Sequence, residues 1–270
     1  MDPYLHIFGL NIRFYSICVL LAVIAVAFFT EKEAHRLGIK KEFVFNMLFW
    51  AFIFGILGAR IYYVIFNFQE YIKDPIEIIK IWNGGLAIHG GLLAGVVTCY
   101  LYCKKYNVRP LRMCDLIAVP LLLGQAIGRW GNFFNQEAHG AATTVAELKS
   151  LFIPQFIIDG MQIDGVYYFP TFFIESMVCL IAFIILCIVR RGKYLKVGSM
   201  TASYLMIYGV LRFFIEIERT DALMIAGFKM AQIVSVAMFI VGLVLMMYIS
   251  RKPKFDDLYN DRTNVDEIRF

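Results

Sequence analysis

Charge is what this sequence has least of. Only 17% of its 270 residues are Asp, Glu, Lys or Arg, while 60% are hydrophobic. Soluble domains run at about a quarter charged and about half apolar, so a soluble globular protein is excluded. Proline is scarce too, at 7 residues, and no internal repeat stands out. The six cysteines (Cys18, Cys99, Cys103, Cys114, Cys179 and Cys187) show no paired extracellular spacing and no metal-ligand spacing. They lie in or beside apolar runs, which excludes a disulfide-stapled module and leaves ordinary packing. The net charge of +5 comes from short, separated basic clusters, which fit a lipid interface and give no nucleic-acid footprint. What is abundant is aromatic and apolar: 25 Phe, 15 Tyr, 3 Trp and 12 Met, with a mean hydropathy of +0.68. The chain reads as an integral membrane protein.

A spanning helix needs about 20 mainly apolar residues, because the hydrocarbon slab is roughly 30 Å thick and each residue rises about 1.5 Å. Seven stretches qualify, at roughly 14–30, 43–66, 86–103, 113–133, 170–189, 198–217 and 230–249. The third is the weakest, diluted by Gly84, Gly85, Gly90, Gly91 and Gly95. The first does not read as a cleaved signal, since it lacks a basic n-region, with Asp2 and the single arginine Arg13 before it, and the apolar run continues through Phe28 and Phe29. The expected fold class is therefore an all-α polytopic membrane protein of seven transmembrane helices.

Orientation follows the basic residues. The loops after spans one, three and five and the tail hold 17 of the 26 Lys and Arg, from Lys32 to Arg269. Six face the other way: Arg13, Lys73, Lys80, Lys149, Arg219 and Lys229. The N-terminus is then outside and the C-terminus cytoplasmic. Residues 67–83 read as an amphipathic segment on the outer interface. The longest connection, 134–169, reads as a small extracytoplasmic head; within it FIIDGMQIDGVYYF, broken by Asp159-Gly160 and Asp164-Gly165, predicts a β-hairpin. The layout is a transmembrane domain over 1–250 containing that head, then a solvated charged tail over 251–270.

An arginine near a helix centre costs at least about 2.5–3.5 kcal/mol, so it needs a partner or a task. With this topology Arg60, Arg129 with Asn132, and Arg212 with Glu216 close the outward-running spans two, four and six. Tyr15, His89 and Glu175 open the inward-running spans one, three and five. Six helices therefore contribute polar groups at one depth, which predicts a single cavity open to the outside. Bland alternatives exist for each residue: Arg212 and Glu216, four apart, suit mutual neutralisation, Arg60 suits snorkelling, Tyr15 suits an interfacial belt, and His89 suits a satisfied core position. Asp115 reads as a helix-start residue favoured by the dipole. The densest signal is residues 128–140, GRWGNFFNQEAHG, where an arginine, two asparagines, a glutamate and three glycines gather at a membrane boundary. Arginine forks bind phosphate bidentately, so the chemistry alone predicts a site for an anionic lipid head group.

That run resembles the signature of the prolipoprotein diacylglyceryl transferases. Arg13-Phe14-Tyr15, LGAR at 57–60, GGLAIHGG at 84–91 and YGVLRFFIEIER at 208–219 fall in the same family's order, so the resemblance covers nearly the whole chain. It implies seven transmembrane helices in the bacterial cell membrane and a site facing the outer leaflet. The implied activity is transfer of diacylglycerol from phosphatidylglycerol to the lipobox cysteine of a prolipoprotein signal peptide, releasing glycerol phosphate. Tyr15, His89, Arg129, Asn132, Glu137, Gly140, Arg212 and Glu216 match functional positions of the family. Many members open the fifth helix with His-Pro-Ser/Thr; here Phe169-Pro170-Thr171 leads to Glu175, so no catalytic duty for that histidine carries over.

With this resemblance His89, Arg129 and Arg212 are the expected catalytic residues. Arg129 and Arg212 would hold the phosphate leaving group, and His89 would accept the thiol proton. Tyr15, Arg60, Arg129, Asn132, Glu137, Gly140, Arg212 and Glu216 are the expected phosphatidylglycerol-binding residues, with Glu216 orienting Arg212. The chemistry calls for no metal and no cofactor. A different class, an organic-anion channel or transporter, would use the same arginines but requires access from both faces, and the cytoplasmic halves of the spans are almost purely apolar. A non-catalytic lipid-binding scaffold is the third reading.

Overall fold

Backbone polar groups in hydrocarbon must bond to one another, and the apolar runs accordingly fold as helices. The computed structural model describes every residue except 1–2, 8–9, 73, 220–223, 226–227 and 263–270. Asp2, Lys73 and Arg269, used above for orientation, lie outside the described residues. The chain opens with an antiparallel pair, β1 (Tyr4–Ile7) and β2 (Leu10–Arg13), followed by α1 (Phe14–Arg36) and α2 (Lys41–Phe66). A short helix α3 (Phe68–Tyr71) and two 3₁₀ turns (Pro75–Ile78 and Ile81–Asn83) lead into α4 (Ile88–Lys105) and α5 (Pro110–Asn135). Then come β3 (Ala142–Thr143), α6 (Val145–Ser150), α7 (Gln155–Gly160), β4 (Gln162–Ile163) and β5 (Val166–Tyr168). Helices α8 (Thr171–Val189) and α9 (Ser199–Glu218), the strand pair β6 (Met224–Ile225) and β7 (Phe228–Lys229), and α10 (Met230–Ser250) complete the order.

The protein is mostly helical; the described residues form three small sheets, where a single hairpin in the head was expected. Among the described residues, six helices are long and apolar enough to cross a membrane: α1, α2, α5, α8, α9 and α10. The third expected span does form a helix, the 18 residues of α4, but its glycines and terminal lysines keep it out of that set.

Contacts divide the chain into two compact units, residues 1–29 with 114–260 and residues 30–113 with 261–270. In the larger unit α5 is central, with half of its apolar window buried against 17% for α10. Its core joins Val119, Leu122 and Ala126 of α5 to Cys179, Phe183 and Leu186 of α8 and to Met200, Leu211 and Ile215 of α9. Asp115, fully buried, caps α9 rather than its own helix. Its carboxylate accepts the N–H of Gly198 at 2.5 Å and of Thr201 at 2.8 Å, satisfying donors that α9 cannot satisfy internally. Helices α9 and α10 approach so closely that a Cβ at Gly209 would lie 2.8 Å from the Ser235 carbonyl oxygen.

The expected head hairpin is half right. β4 and β5 pair across Asp164-Gly165, both in left-handed conformations, as a tight turn requires. FIID instead lies in α7, because Gln155 donates to Asp159 four residues on and Ile157 and Ile158 are both fully buried in the head's own core. The tail also departs from expectation. Residues 255–260 turn back onto the α8–α9 connection: the Tyr259 and Val197 amides bond the Leu195 and Asp257 carbonyls, and Tyr259 is fully buried. One aromatic among the charges supplies enough apolar surface to dock a segment whose composition reads as solvated.

In the smaller unit α2 and α4 pack through glycines. A Cβ at Gly90 would collide with Tyr62 and with the Gly58 carbonyl, the small-residue packing that membrane helices use in place of a hydrophobic driving force. In the connection between these helices the Glu77 carboxylate, 2.6 Å from the Lys80 ammonium, holds that group's pKa above its ordinary value.

Candidate active site

Three helices of the larger unit bring opposite charges together inside it. Glu175 of α8, only 1% exposed, forms an ion pair with Arg129 of α5 at 2.6 Å through Oε1 and faces Arg212 of α9 at 3.7 Å through Oε2. The Tyr208 hydroxyl donates to Glu175 Oε1 at 3.2 Å and receives Arg129 Nη2 at 3.3 Å. Arg212 Nη2 donates in turn to Glu216 Oε2 at 2.5 Å, and Arg219 reaches the same oxygen at 4.0 Å. The Lys229 ammonium donates to the carbonyls of Glu216, Ile217 and Arg219 at 2.6, 3.1 and 2.9 Å, closing the C-terminus of α9 where a cation is favoured. Three guanidiniums thus share two carboxylates. Arg212 Nη1 is buried, and its 3.7 Å approach to Glu175 is too long for a hydrogen bond. A donor aimed into a positively biased interior is what an anionic group would meet.

The geometry rests on helical spacing. Tyr204, Tyr208, Arg212 and Glu216 recur every four residues, so they form one stripe on α9. Tyr204 stacks on Tyr208 with ring centroids 5.9 Å apart and receives the Gln125 amide at 2.9 Å. Ser176, next to Glu175, ties α8 to α5 by donating to the Ala126 carbonyl at 2.8 Å.

Beyond α5 the chain turns sharply. Asn132 and Asn135 both donate to the Glu137 carboxylate, at 3.1 and 3.2 Å. The residues flanking Glu137, Gln136 and Ala138, have φ of 52° and 57°, and non-glycine residues held left-handed cost of order 1–3 kcal/mol each and collect at functional sites. The turn is fastened to α8, with Thr171 donating to the Ala138 carbonyl at 2.6 Å and the Gly140 amide bonding the Phe169 carbonyl at 2.9 Å. Tyr15 reaches the same end of α5, its ring lying against Gly131, where a Cβ would stand 2.7 Å away.

Arg129, Arg212 and Glu216 are therefore brought together, and Tyr15, Asn132 and Glu137 cluster at the adjoining end of α5. Gly140 is a close-approach position, where a Cβ would meet Phe169 at 3.0 Å, so its part is to hold the turn. Arg60 corrects the expectation of a head-group ligand. It is 5% exposed, and its guanidinium donates to the carbonyls of Ile78, Gly84, Gly85 and Glu77 at 3.0, 2.7, 2.8 and 2.5 Å. With four bonds drawn to backbone oxygens and Tyr71 under the cation, Arg60 shapes the α2–α4 connection and has no fork left for a phosphate. Arg60 and His89 both belong to the smaller unit, where His89 is exposed in the first turn of α4, its ring 6.4 Å from Tyr62.

The sequence reading missed the hub. Glu175 counted as one polar group among several, and Tyr208 entered only as the first residue of the YGVLRFFIEIER match. The four-residue spacing of the α9 stripe, and a lone glutamate in an otherwise apolar span, were the available signals.

The profile of the family described as prolipoprotein diacylglyceryl transferase matches residues 3–248. The chain is 43% identical to the phosphatidylglycerol–prolipoprotein diacylglyceryl transferase of Staphylococcus saprophyticus over 258 residues, covering 95% of this chain and 91% of that one. It is 41% identical to the protein of that name from Staphylococcus xylosus, covering 96% and 94% of the two chains. The Staphylococcus haemolyticus protein of that name is 43% identical, with 92% and 88% covered.

Proposed function

The chain belongs to the prolipoprotein diacylglyceryl transferase family, and we propose that it moves the diacylglyceryl group of phosphatidylglycerol onto a lipobox cysteine with its paired arginines as the anion site. The observation that carries this reading is the Glu175 clamp. One carboxylate sets Arg129 at 2.6 Å and Arg212 at 3.7 Å, while the Arg212 Nη1 donor has no hydrogen-bond partner among the described residues. A phosphodiester suits that donor and the cationic surplus around it.

In this reaction a thiolate sulfur attacks the glyceryl carbon that carries the phosphate ester. A carbon–sulfur bond forms, the carbon–oxygen bond breaks, and glycerol phosphate leaves with the electron pair. Arg129 and Arg212 stabilise the charge that develops on the departing phosphate, and Glu216 and Tyr208 keep their guanidiniums aligned. Asn132, with Tyr15 beside it, fixes the head group, and Glu137 orients Asn132. The thiol, with an ordinary pKa near 8.5, is deprotonated under the arginine field. In this reading α4 is a seventh span, the N-terminus and head lie outside, and the site faces the outer leaflet of the bacterial cell membrane.

The test is direct. Purified protein in phosphatidylglycerol vesicles with a lipobox peptide should add one diacylglyceryl group to the peptide cysteine and release one glycerol phosphate. An unmodified peptide would overturn the activity. Orientation is tested in a background lacking the six native cysteines: a cysteine at Lys149 should label with an impermeant thiol reagent in intact cells, and cysteines at Lys104, Arg191 and Lys252 should not. Labelling at Lys104 would reverse the topology.

A further inference from the structure

The head carries an apolar tip that its own core does not use. Leu151, Phe152 and Phe156 are 51%, 92% and 58% exposed, while their neighbours Leu148, Ile153 and Ile157 are buried in the head core. The backbone is forced to present Phe152. It ends α6 in a left-handed conformation, φ 57°, with its amide on the Lys149 carbonyl and the Ile153 amide on the Leu148 carbonyl. This helix-ending pattern normally takes glycine at the left-handed position, because any side chain there is strained. A bulky aromatic at that φ is a genuine outlier, and strain of this kind persists where a task retains it.

The tip's depth can be traced through ring contacts. Phe156 stacks on Trp130, centroids 6.4 Å apart and planes 11° apart, and Trp130 lies in the last turns of α5, which ends at Asn135. Trp130 also borders an apolar groove of about 320 Å³ along α1, α5 and α8, lined by Cys18, Leu21, Leu123 and Ile127 among others. The aromatic tip is thus continuous with the apolar flank of the membrane helices, at the level where one of them ends. Aromatic side chains concentrate at that level of a membrane protein. Lys149, next to the tip and exposed, supplies the positive charge that anionic head groups attract.

We propose that Leu151, Phe152 and Phe156 form a wedge that dips into the lipid interface and seats the head on the bilayer. The occupant is lipid, because the tip continues a lipid-facing flank and carries a cation at its edge. The wedge sets the height of Asn132, at the end of α5, and of the turn bearing Glu137 above the lipid from which a head group must rise.

Full-length protein carrying Phe152→Trp, reconstituted in vesicles of phosphatidylethanolamine and phosphatidylglycerol, tests this. The emission added over the parent should be quenched by lipids brominated near the glycerol end of the acyl chains and shielded from acrylamide. Added emission that acrylamide quenches freely and brominated lipid leaves untouched would overturn the wedge. This measurement needs no turnover, so its failure is distinguishable from failure of the reaction assigned above. Phe152→Gly, which relieves the strained φ, should melt no lower than the parent yet turn over vesicle-embedded phosphatidylglycerol several-fold more slowly. A raised KM for the peptide, with lipid dependence unchanged, would make the tip a peptide-docking face and overturn the proposal as well.

Discussion

Replacing Glu175 with glutamine tests the clamp most sharply, because it changes a charge and almost no volume. The parent carboxylate is 1% exposed and faces two guanidiniums, at 2.6 and 3.7 Å, with the Tyr208 hydroxyl at 3.2 Å. Unit charges about 4 Å apart attract by about 4 kcal/mol at an effective dielectric of ~20, and removing one partner from a buried pair costs about 3–5 kcal/mol. The amide keeps an acceptor for one partner but leaves the Arg129 charge unmatched, so its side chain is no longer held beside Arg212. If about 3 kcal/mol of that loss falls on transition-state geometry, kcat drops roughly 100-fold, since ~1.4 kcal/mol is a factor of ten. Phosphate competes with Glu175 for the same guanidiniums, so the KM for phosphatidylglycerol should hold or fall as kcat collapses. The assay is peptide diacylglycerylation in vesicles of varied phosphatidylglycerol content, with thermal melting alongside. A kcat within threefold of the parent, at matched protein levels, would refute the claim that Glu175 organises the arginines.

Other substitutions separate neighbouring ideas. Arg129→Lys and Arg212→Lys should each lose most activity despite keeping the charge, because an ammonium cannot reproduce a planar fork; near-normal turnover would reduce that arginine to a general electrostatic role. If the arginine field makes the thiolate, raising the pH should partly rescue Arg212→Gln, and His89→Asn should lower the rate without reshaping the pH–rate profile. Loss of the acidic limb in His89→Asn, with no alkaline rescue of Arg212→Gln, would instead make His89 the base. Gly90→Ala should destabilise the α2–α4 pair by about 1–3 kcal/mol, the usual range for overpacking, because the added Cβ meets Tyr62 and the Gly58 carbonyl; an unchanged melting curve would contradict that packing. Tyr259→Ala should cost about 3 kcal/mol as a buried aromatic truncation and expose residues 251–260 to protease, and resistance to cleavage equal to the parent's would speak against the docked tail.

What could be read in advance was whatever acts locally. The spans were legible because hydrocarbon demands an unbroken apolar run wherever the chain crosses, and α4 was visibly the marginal one, for the glycines that now prove to pack it against α2. Arg129 and Arg212 were legible because a guanidinium in a membrane helix requires a partner. Which partner was not legible: Glu175 lies on another helix, and only the packing of α5, α8 and α9 aims it at both. Arg60 was misjudged for a related reason. Its helix position says nothing of whether carbonyls or a ligand will meet the fork, and that depends on how the loop from Glu77 to Gly85 folds over it. The head hairpin shows the limit of turn motifs, since Asp164-Gly165 makes the turn while Asp159-Gly160, of the same composition, is absorbed into α7 by the burial of Ile157 and Ile158.

The docked tail has a consequence for how the molecule is made. The Asn260 amide bonds the carbonyls of Arg190 and Gly192, some 70 residues upstream, and Lys196 donates to the Ile249 and Lys252 carbonyls. A ribosome delivers α8, α9 and α10 before the segment that latches them. The α9–α10 hairpin, packed glycine to backbone, is therefore free to enter the bilayer and settle its register while the α8–α9 turn is still open. Only when Tyr259 is in place is that turn closed, so the α8–α9 connection is fastened by contacts made after all three helices have been synthesised.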